Sequence, residues 1–225
     1  MNLKMILKRL FSYPAPVIVF VGKPDSGKTD FSLFLAEKGL KYGLIDMCAS
    51  NIPVFDNRFV KITSLRSLEL WLSMFKRESK LFILDEADEK LTNLDTITKL
   101  YKSFRVPMAF QIRKFRAKLI LIYHRLRDVP ELFLDPNVTT AFVKKVNKKT
   151  ALIKSELLYP MCGDNTIELC NIPRTSIPFN TYGVGIFTED NPKEREMLEY
   201  WHKVTLLKKR GFSEEQIKVI LSEPL

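Results

Sequence analysis

The chain has 225 residues, of which 46% are hydrophobic and 28% charged, and its formal net charge is +10. This composition excludes an intrinsically disordered chain, and the length is enough for one α/β domain with a small appendage. The positive charge suits a polyanionic partner. The three cysteines (Cys48, Cys162 and Cys170) have no C-x-x-C spacing, which argues against a structural zinc site and indicates a reducing compartment.

The first element along the chain is a basic amphipathic helix predicted over residues 2–11 and ended by Pro14 and Pro16. Its lysines, followed by an apolar run, imitate a signal peptide. That apolar run is short and leads directly into a glycine-containing loop that cleavage would destroy, so we expect no secretion. No apolar run approaches the roughly 18 residues of a membrane span, so we expect no membrane insertion and a cytoplasmic protein.

The glycine-containing loop fits the pattern G-x-x-x-x-G-K-[ST]. An apolar β-branched run at 17–21 precedes it, and apolar residues at helical spacing follow at 31–40. Strand, loop and helix are the context of a phosphate-binding loop, whereas an ordinary turn of Gly, Ser and Asp needs no such flanks. Backbone N–H groups and the helix N-terminus would face the phosphates. The predicted nucleotide-binding residues are Gly22, Lys23, Pro24, Asp25, Ser26, Gly27, Lys28, Thr29 and Asp30.

Within this loop two side chains have specific predicted roles. Lys28 is expected to reach the β- and γ-phosphates of ATP, and the Thr29 hydroxyl is expected to bind Mg²⁺. A buried-strand run at 80–84 ends in Asp85 and Glu86, where Asp85 is placed to hold Mg²⁺ through water. Glu86 can accept a proton from the attacking water, which favours an ATP hydrolase over a small-molecule kinase. The alternative is a strand that simply ends in a solvated acidic turn.

The remaining predicted elements alternate between strands and helices. Strands are expected at 42–47, 59–63, 81–85 and 118–123, with helices at 64–79, capped by Ser64, and at 94–104. Strands at 138–145 and 149–154 form a predicted hairpin, 160–190 is irregular, and helices follow at 192–209 and 213–221, the last with a Ser213–Gln216 capping box. This order predicts an α/β fold with a mostly parallel sheet covered on both faces.

We expect three segments: a basic helix at 1–15, an ATPase core at 16–158, and an irregular and helical extension at 159–225 packed on or beside the core. The four residues at 85–88 spell Asp-Glu-Ala-Asp, the box of a DEAD helicase. Such helicases need two RecA-like domains, and too little chain follows residue 150 for a second one.

The phosphate loop, the Asp85–Glu86 pair and the segment 116–125 together resemble the FtsK–HerA superfamily of DNA-pumping ATPases, over about residues 17–145. The small size further resembles the genome-packaging ATPases of archaeal tailless icosahedral viruses. The resemblance implies a P-loop NTPase fold of the RecA-like ASCE type and a homo-oligomeric ring. It also implies sequence-independent binding of double-stranded DNA, a capsid vertex as a further partner, and the host cytoplasm as the location of a viral protein.

The family's polar sensor at the end of the next strand is matched here by His124 and Arg125, and its asparagine before an edge strand by Asn137. For His124 a structural hydrogen-bonding role stays an alternative to a catalytic sensor of the γ-phosphate, and His202 is expected at the surface. Many relatives carry an arginine near the edge strand that reaches a neighbouring subunit's nucleotide. Residues 139–141 lack one, so the candidates for this arginine finger are Arg113, Arg116, Arg125 and Arg127. The alternative for each of the four arginines is a solvent-exposed charge in a loop, with no catalytic role.

A second basic set flanks the hairpin tip and could contact the DNA backbone: Lys144, Lys145, Lys148 and Lys149. A solvated hairpin tip is the alternative. The function predicted from these features is an ATP-hydrolysing motor that packages double-stranded DNA into a viral capsid. The alternatives are a plasmid or cellular translocase, a Zot-like assembly ATPase, and a slow nucleotide-dependent switch or scaffold. Glu86 argues against the switch, because a switch gains little from an efficient base.

Overall fold

The computed structural model describes residues 3–74, 76–87, 112, 114–155, 165–180 and 187–222. Over these ranges the strands are β1 (Val17–Val21), β2 (Met47–Ser50), β3 (Phe59–Lys61), β4 (Lys80–Leu84), β5 (Ala117–Tyr123), β6 (Thr139–Asn147), β7 (Thr150–Lys154) and β8 (Thr166–Leu169). The helices are α1 (Leu3–Ser12), α2 (Lys28–Lys41), α3 (Leu65–Ser73), α4 (Pro192–Lys209) and α5 (Glu214–Ser222). Short 3₁₀ turns cover Leu126–Asp128 and Glu131–Leu134.

In the described part of the chain, eight strands form one sheet in the order β3-β2-β4-β5-β1-β6-β7-β8. In this spatial order, the first six strands, which run from β3 at the edge to β6, pair in parallel. The pairs β6–β7 and β7–β8 are antiparallel. The strand that ends before Asp85 is separated from the loop strand β1 by β5. This order, with the phosphate-loop sequence after β1, confirms the predicted α/β P-loop NTPase fold of the RecA-like ASCE type.

The core lies on both faces of the sheet, as the uninterrupted apolar runs predicted. Every residue of β1, β4 and β5 is buried, because these parallel strands are covered on both faces, and apart from Lys80 and Lys118 the residues are apolar or aromatic. One face packs against α3, where Trp71 is fully buried. The other face packs against α1 and α2, and Ile6, Leu7 and Leu10 of α1 have no exposed surface. The N-terminal helix therefore contributes to the core.

The predicted strand at 42–47 is wrong in position, since β2 begins only at Met47. Helix α2 continues to Lys41, and Gly43 then turns the chain in the left-handed region at φ 66°. The N–H groups of Leu44 and Ile45 both bond to the carbonyl of Gly39, so these apolar residues close the helix end and do not join the sheet. The helix predicted at 64–79 is also shorter, because the chain becomes extended at Met74.

The region 160–190, predicted to be irregular, contains β8, which pairs with β7. The strand β6, expected at an edge, is therefore an interior strand between β1 and β7. The β6–β7 hairpin itself is confirmed. The helix expected at 94–104 lies outside the described residues.

The C-terminal helices follow their sequence signals closely. Helix α4 begins after Asn191, whose side chain accepts a hydrogen bond from the N–H of Glu194. Before α5, Ser213 N donates to Gln216 Oε1 at 2.9 Å and Gln216 N donates to Ser213 Oγ at 3.3 Å, which confirms the capping box. His202 in α4 is half-buried, in contrast to its predicted surface position, and burial lowers its pKa. Across the described ranges, no helix is long and apolar enough to span a bilayer.

Candidate nucleotide-binding site

The loop between β1 and α2 depends on two glycines for different physical reasons. Gly27 lies directly before α2 with φ 82° and ψ 32°, a left-handed conformation that side chains rarely tolerate. Gly22 lies against the β6–β7 hairpin, where an added Cβ would be 2.7 Å from the carbonyl oxygen of Lys145. The loop can therefore approach the hairpin closely only with glycine at this position.

Lys28 is the first residue of α2, and its side chain folds back over the loop. Its Nζ donates to the carbonyl oxygens of Gly22 and Lys23, each at 2.9 Å. The side chain is only 7% exposed, so the ammonium group is held at the mouth of the loop. An incoming phosphate would find a positioned cation that can exchange these carbonyl partners for phosphate oxygens.

Thr29 and Asp85 meet at the end of β4, although they are far apart in sequence. The Thr29 hydroxyl donates to Asp85 Oδ2 at 2.6 Å, and the N–H of Glu86 donates to Asp85 Oδ1 at 3.0 Å. Burial raises the pKa of Asp85, although these two hydrogen bonds and the charges of Lys28 and His124 act to lower it. The carboxylate is thus desolvated beside a hydroxyl, an environment in which a bound cation would stabilise its charge.

Asn51 follows β2, and its side chain forms two hydrogen bonds with the backbone of Asp85. Asn51 Oδ1 accepts from the N–H of Asp85 at 2.8 Å, and Asn51 Nδ2 donates to the Asp85 carbonyl at 3.1 Å. Asn51 was not predicted as a site residue, because β2 was predicted too early and Asn51 therefore did not follow a strand end. With β2 in its correct position, the carboxyl ends of β2 and β4 meet at the same edge of the sheet.

Glu86 and His124 complete the wall of one cavity of about 690 Å³. Glu86 has a left-handed backbone at φ 54°, an unfavourable conformation of a kind that is common at functional sites. His124 follows the last residue of β5 and is half-buried. The cavity is lined by Pro24, Asp25, Gly27, Lys28, Thr29, Asp30, Asp85, Glu86, His124, Lys148, Arg174 and Phe179. Of the nine residues predicted to bind nucleotide, six are therefore in this lining.

The donor set of this cavity fits Mg²⁺ held together with a nucleotide. The oxygen atoms of Thr29 and Asp85 already lie side by side, and magnesium prefers few protein oxygens completed by phosphate and water. Among the residues that the structure describes, no group of three or more His, Cys, Asp or Glu residues could hold a metal alone. A metal site here would therefore be completed by the ligand.

The predicted arginine-finger candidates occupy different places. Arg116 is exposed at the amino end of β5, the edge of the sheet opposite the loop. Arg125 and Arg127 are exposed in the segment after β5, and Arg113 lies outside the described residues. Within the described ranges, none of these arginines lines the cavity.

The four predicted DNA-contacting lysines also separate into different environments. Lys145 is 2% exposed, and its Nζ lies 5.0 Å from the centre of the Phe31 ring. Lys148 is exposed but lines the nucleotide cavity, since the hairpin tip packs against Gly27. Lys144 and Lys149 are exposed outside it. Two lysines of this set therefore remain accessible to a large partner.

No family model and no curated protein sequence match the chain. The structure is similar to B204, the DNA-packaging ATPase from Sulfolobus Turreted Icosahedral Virus, with a TM-score of 0.47, 13% identity, and coverage of 71% of this chain and 99% of that chain. It is also similar to the flagellar accessory protein FlaH from Methanocaldococcus jannaschii, with a TM-score of 0.45, 12% identity, and coverage of 78% of this chain and 95% of that chain. A third similar structure is the genome packaging NTPase B204 from Sulfolobus turreted icosahedral virus 2 in complex with AMPPCP. Here the TM-score is 0.45 and the identity 15%, with coverage of 71% of this chain and 100% of that chain.

Proposed function

We propose that this protein is a Mg²⁺-dependent ATPase that translocates double-stranded DNA, with packaging of a viral genome into a capsid as its biological task. The observation that carries the ATPase part is the pairing of Thr29 with Asp85 at 2.6 Å beside the loop lysine. In P-loop NTPases these two oxygen donors and one cation surround the β- and γ-phosphates. The same cavity holds Glu86, so the site contains a candidate base as well.

In this proposal the loop binds the triphosphate through its backbone N–H groups, the N-terminus of α2 and the ammonium group of Lys28. Thr29 and Asp85 would hold Mg²⁺, which when bound neutralises charge on the β- and γ-phosphates. Asn51 fixes the backbone at Asp85 and so limits how far its carboxylate can move. The chain's own residues thus position the nucleotide before any chemistry begins.

Glu86 is proposed to orient and deprotonate the attacking water. The proton passes to the Glu86 carboxylate, the water oxygen bonds to the γ-phosphorus, and the bond to the bridging oxygen of ADP breaks. In this proposal His124, which lines the cavity at the end of β5, contacts the γ-phosphate. A change in this contact on hydrolysis would be passed to the segment after β5, where Arg125 and Arg127 are exposed.

The DNA part of the proposal is supported by the net charge of +10, by the exposed lysines Lys144 and Lys149, and by the resemblance to the FtsK–HerA superfamily. It includes a homo-oligomeric ring around the duplex and a capsid vertex as docking partner. A plasmid or cellular translocase or a Zot-like ATPase would use the same site. The cavity position of Glu86 favours a hydrolase over a slow nucleotide switch.

The test is ATP hydrolysis by the purified protein with Mg²⁺ or with excess EDTA, with and without a long DNA duplex. We expect turnover that requires Mg²⁺ and is stimulated by the duplex. Translocation is then measured by displacement of a third strand from a DNA triplex, with Glu86→Gln as the inactive control. Failure to bind or hydrolyse ATP would overturn the ATPase assignment, and ATP turnover without triplex displacement would overturn the motor assignment.

A further inference from the structure

Residues 172–180, here named the strap, cross the outside of α2. At one end the N–H of Ile172 donates to the carbonyl of Lys149 in the β6–β7 hairpin at 3.0 Å. At the other end, Phe55 N donates to Pro178 O at 2.8 Å and Asn180 N donates to Pro53 O at 3.1 Å, both in the segment after β2. The strap therefore connects two regions that are separated by the phosphate-loop helix.

The middle of the strap is fixed to α2 by side-chain hydrogen bonds. Glu37 Oε2 accepts from Thr175 Oγ1 at 3.0 Å and from Ser176 N at 2.9 Å. Nearer the loop, Asp30 Oδ1 accepts from Thr175 N at 3.4 Å. Both acceptors belong to the helix that begins at Lys28. The strap is thus positioned relative to the nucleotide cavity by the same helix that supplies the loop lysine.

This attachment places Arg174 in the wall of the cavity. Its side chain is exposed, and its charge acts on Asp30, where burial raises the pKa of the carboxyl and Arg174 opposes that effect. Among the residues that the structure describes, Arg174 forms no ion pair within 4.0 Å. Its exposed side chain belongs to the cavity wall, where it can meet an anionic ligand.

We propose that Arg174 contacts the nucleotide phosphates within its own chain and takes the role that a neighbouring subunit's arginine has in many FtsK–HerA relatives. This inference rests on the proposed ATPase function. A guanidinium offers several N–H donors in a fork that matches phosphate oxygens, which an ammonium group does not. Residues 139–141, near which those relatives carry the arginine, are Thr, Thr and Ala. The strap supplies an arginine to the cavity wall from a different part of the chain.

The first experiment compares ATP hydrolysis by wild type, Arg174→Ala and Arg174→Lys. Loss of one positioned donor to a developing anion reduces kcat by roughly 10²–10³-fold, so we expect this loss for the alanine variant. The lysine variant keeps the charge without the fork and should recover only part of kcat. Lys218→Ala, which removes an exposed cation from α5, is the matched control and should leave the rate unchanged. An unchanged kcat/KM in Arg174→Ala overturns the inference.

The second experiment decides between action within the chain and action across an interface. Arg174→Ala is mixed with Glu86→Gln, and the rate is compared with the sum of the separate rates. If Arg174 serves its own nucleotide, each subunit lacks one required group and mixing restores nothing. If it serves a neighbour, mixed interfaces contain both groups and activity returns, which overturns the assignment within the chain.

The third experiment tests whether the strap positions the arginine. Glu37→Ala removes the acceptor for Thr175 and Ser176 but is not part of the cavity wall. We expect kcat to fall at least about 10-fold, and we expect Arg174→Ala to cause a smaller additional loss in this background than in wild type. Fully multiplicative losses would overturn the positioning role. A wild-type protein that does not hydrolyse ATP would instead overturn the proposed function, before the variants are compared.

Discussion

The hydroxyl of Thr29 donates a 2.6 Å hydrogen bond to Oδ2 of Asp85 and joins the first turn of α2 to the end of β4. Neither residue is near the other in sequence, and the contact depends on the parallel sheet bringing the ends of β1 and β4 to one edge. Two oxygen donors are therefore adjacent at the mouth of a phosphate-binding loop. This single contact relates the fold directly to the chemistry proposed for it.

Replacing Lys28 with alanine should weaken ATP binding, because the cation that faces the phosphates is removed. Charge-assisted contacts of this kind are worth about 1.5–3 kcal/mol, so we expect an increase in Kd of at least about 10-fold. The measurement is titration with a fluorescent ATP analogue. Lys41→Ala, at the exposed end of the same helix, is the control. Equal affinities of Lys28→Ala and wild type would show that the nucleotide binds elsewhere.

Replacing Glu86 with glutamine should preserve ATP binding and stop hydrolysis. The amide keeps the size of the side chain but cannot accept the proton of the attacking water, so kcat should fall about 10²-fold or more. Phosphate release and nucleotide titration are measured on the same preparation. Glu196→Gln, on the exposed side of α4, controls for the change in charge. A normal rate in Glu86→Gln would leave the metal-binding assignment intact and remove the base.

The elements that the sequence predicted well are those whose signals are local. The phosphate loop, β5 and α5 are each marked by a contiguous pattern of glycines, apolar residues or caps. The strand β8 carries no such contiguous pattern, because it has only four residues and none of them is fully buried. It forms because β7 offers a free edge, a condition that no short segment can reveal.

The parts of the site that escaped prediction depend on contacts between distant segments. Arg174 follows a proline in a stretch without periodicity, and it reaches the cavity only because Thr175 bonds to Asp30 and Glu37, which lie far earlier in the chain. Asn51 was hidden by the misplaced β2. The phosphate loop and the Asp85–Glu86 pair needed no such information, because the residues of each lie at adjacent positions in the sequence.

The two hydrogen bonds between the Asn51 side chain and the backbone of Asp85 lead to a prediction for Asn51. Asn51→Leu keeps the volume but leaves the N–H of Asp85 without its acceptor, which costs about 1–3 kcal/mol for a buried group. We expect a lower Tm and a higher Mg²⁺ concentration for half-maximal ATPase activity, because the carboxylate is no longer fixed. Asn51→Asp, which retains the acceptor oxygen, should recover more of the Tm than Asn51→Leu. An unchanged Mg²⁺ requirement in the leucine variant would contradict a positioning role.

Binding of duplex DNA should fall steeply with salt, because each phosphate neutralised adds about 0.9 to the slope of log affinity against log salt. Lys145 is buried and Lys148 lines the nucleotide cavity, so the structure directs the test to Lys144 and Lys149. Replacing both with alanine should reduce the slope by about 1–2, measured by fluorescence anisotropy between low and moderate salt.

The matched control for the DNA experiment is the pair Lys193→Ala and Lys218→Ala, which makes the same change in net charge on the C-terminal helices. We expect this control to change the slope less than the hairpin variant does. Equal slopes in the two double variants would place the DNA-contacting surface away from the hairpin. Strong preference for one DNA sequence would contradict backbone recognition altogether.

The burial of Lys118 leads to a prediction of how the stability of the protein depends on pH. This lysine of β5 is only 7% exposed, and its Nζ donates to the carbonyls of Tyr13 and Ala15 and to the Thr140 hydroxyl. Burial lowers its pKa from 10.5 to about 7. Between these values the unfolded chain binds more protons than the folded one, so the free energy of unfolding contributed by Lys118 rises with pH.

Lys118→Met should therefore remove part of this rise. The variant has fewer hydrogen bonds and a lower stability overall, so the informative quantity is the change in unfolding free energy between pH 7 and pH 9. The wild type should gain stability relative to the variant over this range, at no more than about 1.4 kcal/mol per pH unit. Urea denaturation at pH 7, 8 and 9 measures it, with Lys41→Met as the exposed control. Parallel pH profiles for Lys118→Met and wild type would mean that the buried amine keeps its proton throughout, held by the three oxygen acceptors around it.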